Sequence, residues 1–148
     1  MANSLAGATF SISTTVQNSD LADAAAFAAL SYIEVKNVGS VGVMGTEINV
    51  LTYDELGTAV AQKAKGIANA GDTEIEVARD ESDAGQILMI AAGVPSDVDA
   101  RAFKILMLNG DIFWNRGLVL GPTRPGGRNE DFDLDVYTFA LVQLEIRA

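Results

Sequence analysis

The chain has 148 residues, a formal net charge of −10, and neither cysteine nor histidine. This composition excludes disulfide scaffolds, thiolate or imidazole catalysis, zinc fingers and His-ligated metals. The acidic balance repels free nucleic acid, and the length fits one domain whose core folds without staples.

Hydrophobic residues make up 49% of the chain and the mean hydropathy is +0.21. Those values exclude a mainly disordered polymer and point to apolar surface destined for a partner. Absence of cysteine fits a reducing compartment. The stretch MANSLAGATFSIS shows no basic region followed by an apolar run, so no secretory signal is read. AAAFAAL and ILMIAAGV are too short to cross a bilayer, so a soluble protein without a membrane anchor is expected.

In chain order, ATFSISTTVQ (8–17) alternates and predicts a first strand. Ser19 or Asp20 can cap a short helix over Leu21 to Leu30. SYIEVKNV (31–38) alternates again, with Ile33 and Val35 on one face. Gly39, Gly42 and Gly45 then punctuate a segment without a core pattern, read as a long loop with an extended arm. Their spacing is not the dinucleotide fingerprint.

TEIEVAR (73–79) predicts a strand with Ile75 and Val77 opposite Glu74 and Glu76. DESDAGQILMIAAGV changes period and predicts a helix. Asp83 and Gln86 have capping-box spacing there, and Ile87, Ile90 and Ala91 form one stripe. Asn109-Gly110 splits two apolar runs as a hairpin turn does, and residues 121–130 form a polar Gly/Pro loop. In the last segment Phe132, Leu134, Val136, Ala140, Val142, Leu144 and Ile146 share one parity. The other parity opens with Asp133 and Asp135 and continues with Tyr137, Phe139 and Leu141. That strand is expected to be solvated on its outer face at one end and covered on both sides at the other. The elements predict a mainly β domain, sandwich or barrel-like, with one flanking helix and a long extended loop.

Twenty acidic residues invite a search for paired carboxylates. No EF-hand pattern is present, and the acids from Asp80 to Asp83 sit where helix N-terminal charges belong. No catalytic residue, metal ligand or cofactor site is assigned, and no enzyme is expected. Lys63 and Lys65 lie two apart on an extended arm and share a face. They lack Walker spacing, so carboxylates of a neighbouring subunit, or water, are their expected partners.

Several segments together carry a family likeness. KAKG, then AGDTEIEVARDESDAGQ, then RAFKILMLNGDIFWNRGLV resemble, in that order, the major tail tube protein of long non-contractile-tailed bacteriophages. The most specific pieces are Lys65-Gly66, Gly71, Arg79-Asp80, Asp83 to Gln86, and Phe103-Lys104-Ile105 ahead of Asn109-Gly110. Phe113, Gly117 and Val119 continue them. Leu108 departs from the family, which more often shows proline there, a difference confined to local turn geometry.

The resemblance implies homohexameric rings stacked into a hollow virion tail, assembled in the host cytoplasm, through which double-stranded DNA passes without specific binding. Tape measure, tail tip and tail terminator proteins would be the other partners. Four strands from each of six subunits at about 4.8 Å spacing give a circumference near 115 Å, enough for a duplex. On this reading Glu74, Glu76, Asp133 and Asp135 are candidates to line the lumen. Gly45, Glu47, Tyr53, Asp54, Glu55, Lys63 and Lys65 are candidates for contact between rings, on an arm from residues 39–65. The alternatives are a β-sandwich that binds carbohydrate at a cell surface, or a tail terminator or secretion-tube relative.

Overall fold

The computed structural model describes residues 4–57 and 59–147. Met1 to Asn3, part of the stretch read for a signal, and Ala148, the end of the expected last strand, lie outside them. The strands are β1 (Thr9–Ser13), β2 (Tyr32–Val35), β3 (Val38–Val41), β4 (Glu47–Tyr53), β5 (Gln62–Asn69), β6 (Asp72–Ala78), β7 (Arg101–Leu106), β8 (Ile112–Thr123) and β9 (Leu134–Arg147). The helices are α1 (Ala24–Ala28) and α2 (Ala84–Ala92). The fold is thus mainly β and barrel-like.

Seven strands form one sheet in the order β2-β1-β7-β8-β9-β6-β3, and β4 and β5 pair only with each other. β2 and β3 hold opposite edges of the large sheet, yet only Lys36 and Asn37 separate them in sequence. Three residue steps span at most about 11 Å, so the two edges must lie close together. The sheet therefore curls into a barrel with an open seam. Asn37 makes the turn at the seam with a φ of 63°.

The concave face holds the core, in which Phe103 and Phe139 meet at 4.5 Å between ring centroids, and Phe10 stacks on both. Ile12, Ile75, Val77, Tyr137 and Met89 of α2 complete it, all fully buried. On the convex face a smaller cluster joins Phe27 of α1 to Trp114 and Ala102.

Four expectations need correction. Helix α1 is shorter than expected and is capped by Asp23, whose carboxylate accepts the Ala26 N–H at 2.9 Å, rather than by Ser19 or Asp20. The stripe Ile87, Ile90 and Ala91 faces outward, and the helix buries Gly85, Gln86, Met89 and Ala92 instead. The reason is steric: a Cβ on Gly85 would stand 2.2 Å from the Glu34 carbonyl oxygen, so α2 seats through its smallest residues. In β9 the buried parity is Asp135, Tyr137, Phe139 and Leu141, while Val142 and Leu144 are exposed and Phe132 lies in the preceding loop. Core volume on the concave side is supplied by the aromatics, and they set the parity. Finally, the segment read as a long loop with an extended arm is not all loop: β3 pairs with β6 in the large sheet, while β4 and β5 pair as the arm.

Candidate assembly surfaces

The capping pair is a clasp. Asp83 accepts the Gln86 N–H at 3.1 Å as an N-cap does, and its carboxylate also accepts the Lys36 N–H at 3.1 Å. Gln86 does not reach back to Asp83. Its Nε2 donates to the carbonyls of Lys36 at 2.9 Å and Ala78 at 3.1 Å, and its Oε1 accepts the Asp80 N–H at 2.9 Å. The two side chains thereby tie the seam link to the end of β6 and to α2.

The four carboxylates expected along a lumen are not one set. Glu74 is exposed and Glu76 half-buried on the convex face of β6, each directly opposite a neighbour on β9, Thr138 and Val136. Asp133 lies in the loop before β9, where Arg79 and Arg124 each approach one of its oxygens at 2.8 Å. The Arg124 hydrogen bond, then the one from Arg79, holds its carboxyl below the usual carboxylate range. Asp135 is 3% exposed and points into the core side, which overturns its assignment to a solvated face. It shares a parity with Tyr137, two residues on, and that phenol is pushed up to about 12 by burial first and by the Asp135 charge second. Parity by itself could not show that the aromatics, rather than the aliphatics, define the inside.

The convex face is only partly covered. Residues 14–31 lie over the β7–β8 end, latched by Arg116, a buried guanidinium that the sequence reading missed. Arg116 donates to Gln143 Oε1 at 3.1 Å and to the Gln17 carbonyl at 3.2 Å, and it pairs with Asp20. Gln143 in turn brackets Leu21 through both its N–H and its carbonyl. A lone arginine inside the apolar run IFWNRGLVLG was the available signal. Past this strap the face is open: Leu118, Leu120, Val136, Thr138 and Ala140 stand beside Glu74 and Glu76 in one register.

The second surface is the arm. Every residue of β4 is exposed, and so is every residue of β5 except Gly66. At about 3.3 Å per residue, eight residues carry its tip roughly 25 Å from the sheet. Gly45, with a φ of 138°, stands at its base. Glu47 pairs with Asn69 and Tyr53 with Gln62 across the ladder. Asp54 and Glu55 follow β4, and Glu55 accepts from Gln62 Nε2 at 2.9 Å. Lys63 and Lys65 stand opposite Thr52 and Val50 on one face, as the two-residue spacing predicts. Val50, Leu51, Tyr53 and Ile67 are each more than half exposed.

No protein-family model matches the chain, and no curated protein does. Among solved structures it superposes on the sheath/tube terminator of an extracellular contractile injection system, PVC, in the extended state. The TM-score is 0.73 and the identity 10%, and the alignment covers 100% of this chain and 97% of that one. The two chains share a fold.

Among the described residues no group of three or more acidic side chains is placed to hold a metal ion. Trp114 and Tyr137 are buried, and the exposed aromatics Tyr53 and Phe132 lie on the arm and in the loop before β9. A flat aromatic platform for sugar is therefore not assembled from them.

Proposed function

We propose that the chain is a structural subunit of a phage tail, forming hexameric rings that stack into a tube for genome passage. The observation that carries this reading is the arm, a paired hairpin on which Val50, Leu51, Ile67, Lys63 and Lys65 stand exposed. A free hairpin of this kind is marginal in water and gains its order from a partner. Under this reading the arm, with Gly45, Glu47, Tyr53, Asp54, Glu55, Lys63 and Lys65, reaches an adjacent ring. Of the four candidate lumen acids, Glu74 and Glu76 stand on the convex face without an ion pair among the described residues, Asp133 is exposed but paired with Arg79 and Arg124, and Asp135 is buried. The remaining partners are tape measure, tip and terminator proteins, and the place of the protein is the virion tail.

One observation favours a second reading. One whole-length fold likeness is to a terminator, which supports a single ring that closes a tube rather than one that repeats along it. Negative-stain imaging of the purified protein separates the two. Tubes of stacked rings support the tube reading. Isolated rings that never stack support the terminator. A particle that stays monomeric at every concentration, with or without a tail-initiating complex, overturns both.

A further inference from the structure

We infer that the lysine face of the arm docks on the carboxylate face of β6 in a second copy of this chain. The inference rests on the self-assembly reading above and names the two surfaces that meet.

The two faces match tile for tile. On the arm, Lys63 and Lys65 are alternate residues of β5, with Thr52 and Val50 directly opposite on β4. On the body, Glu74 and Glu76 are alternate residues of β6, with Thr138 and Val136 directly opposite on β9. Neither ladder shifts register within its tile, so both have the same dimensions, about 7 Å along the strand and 5 Å across it. Each tile is one charged column beside one column of a threonine and a valine. Laid face to face, the lysines meet the glutamates and the neutral columns meet each other. Nothing bulky intrudes beside Glu76, because its other neighbours on β3 are Gly39 and Ser40.

A second copy is the occupant because one chain cannot bring its own tiles together. Among the described residues β5 pairs only with β4 and β6 only with β3 and β9, and both arm strands are exposed along their length apart from Gly66, so the arm is not laid on its own sheet. Among the described residues neither lysine and neither glutamate makes an ion pair. The arm carries three acids and two lysines between Glu47 and Asn69, so it holds −1 of the −10 total and approaches a body of about −9. A contact that places arm on body therefore relieves repulsion that body-on-body contact would meet. Where the arm of one copy reaches the β6 face of a second and the second copy's arm reaches a third, the contact is heterologous and propagates, whereas a reciprocal exchange of arms closes a two-fold pair.

The test uses zero-length carbodiimide crosslinking of the native protein, assembled from a mixture of unlabelled and isotopically heavy chains and mapped by mass spectrometry. Alongside it, K63E/K65E, E74K/E76K and the combined swap are assembled without crosslinker. The expected result is light-to-heavy links joining Lys63 or Lys65 to Glu74 or Glu76. Each reversed pair should raise the concentration needed for assembly about tenfold or more, with the combined swap returning close to the parent. Assembly with the lysines linked elsewhere overturns this contact and leaves the self-assembly reading standing. So does normal assembly by E74K/E76K, including particles that assemble normally yet pass DNA more slowly, since the two glutamates would then be channel wall. If the parent neither assembles nor crosslinks, the self-assembly reading fails and this contact fails with it.

Discussion

β5 and β6 follow one another with only Ala70 and Gly71 between them, and both are strands, yet one is a freestanding arm and the other is woven into a barrel. The difference lies in what each face offers. β6 presents Thr73, Ile75 and Val77 on one side, three β-branched residues that bury completely or nearly so. β5 offers Ala64 on the side away from its lysines, and a register shift between Lys65 and Ala68 breaks its alternation, which leaves too little apolar area to hold it against the body. A strand pattern is thus enough for pairing, while placement in a core requires volume. The candidate assembly surface on the arm is left outside for the same reason that it is available.

Identical substitutions in the two regions sharpen this contrast. Gly85→Val places a branched side chain against the Glu34 backbone and should unseat α2, at a cost of about 3 kcal/mol or more in urea unfolding. If Gly85→Val unfolds at the parent's midpoint, the account of how α2 packs is wrong.

The body also carries a pH signature that the arm cannot. Tyr137 is held neutral to about 12 in the fold, against an ordinary value of 10. A raised folded value means that its stabilising contribution is complete below pH 10 and is lost as pH climbs towards 12, since the unfolded chain ionises first. The loss is roughly 2–3 kcal/mol across that window. Tyr137→Phe should lessen the decline, leaving the part due to Tyr32, whose phenol burial also pushes up. Because the Tyr137 hydroxyl has no hydrogen-bond partner among the described residues, it should do so without weakening the fold at neutral pH. An unchanged alkaline slope would place the phenol in solvent.

Asp83→Ala removes the cap of α2 and the acceptor for the Lys36 N–H at once, for about 2 kcal/mol. Asp23→Ala, a cap with no second role, should cost less than half as much. The smallest effect is expected in the arm. Gly66→Val meets the Asn49 carbonyl at 2.9 Å and should disrupt the hairpin, while replacement of residues 47–69 by a short Gly-Ser turn removes it. Both should leave unfolding within about 0.5 kcal/mol of the parent and abolish stacking. A large loss of stability from either would mean that the arm belongs to the core.

Much of the framework was legible because it rests on local chemistry. The Asn109-Gly110 turn, the β6 alternation and the Asp83 cap all depend on residues within a few positions of one another. What escaped was decided at a distance. The face of α2 follows from how closely Gly85 meets β2, and the parity of β9 follows from aromatic volumes contributed by β1 and β7. Arg116 owes its burial to a strap nearly a hundred residues earlier in the chain. The candidate acids show the same division. Glu74 and Glu76 stand where alternation puts them, whereas Asp133 is engaged by Arg124 and Arg79, and Asp135 is enclosed.

The two-residue link between the barrel's edges has a kinetic side. Bringing sheet edges together ordinarily requires closing a long loop, but here the chain itself fixes them as neighbours, so the entropy of closure is nearly prepaid. Lengthening the link should therefore act like loosening a hinge pin. Flexible residues inserted between Lys36 and Asn37 would let the β3 edge swing free of β2 while every existing ladder stays paired. An edge that swings is an edge that can recruit a stray strand. The shortness of that link keeps the two edges facing one another rather than a stray strand.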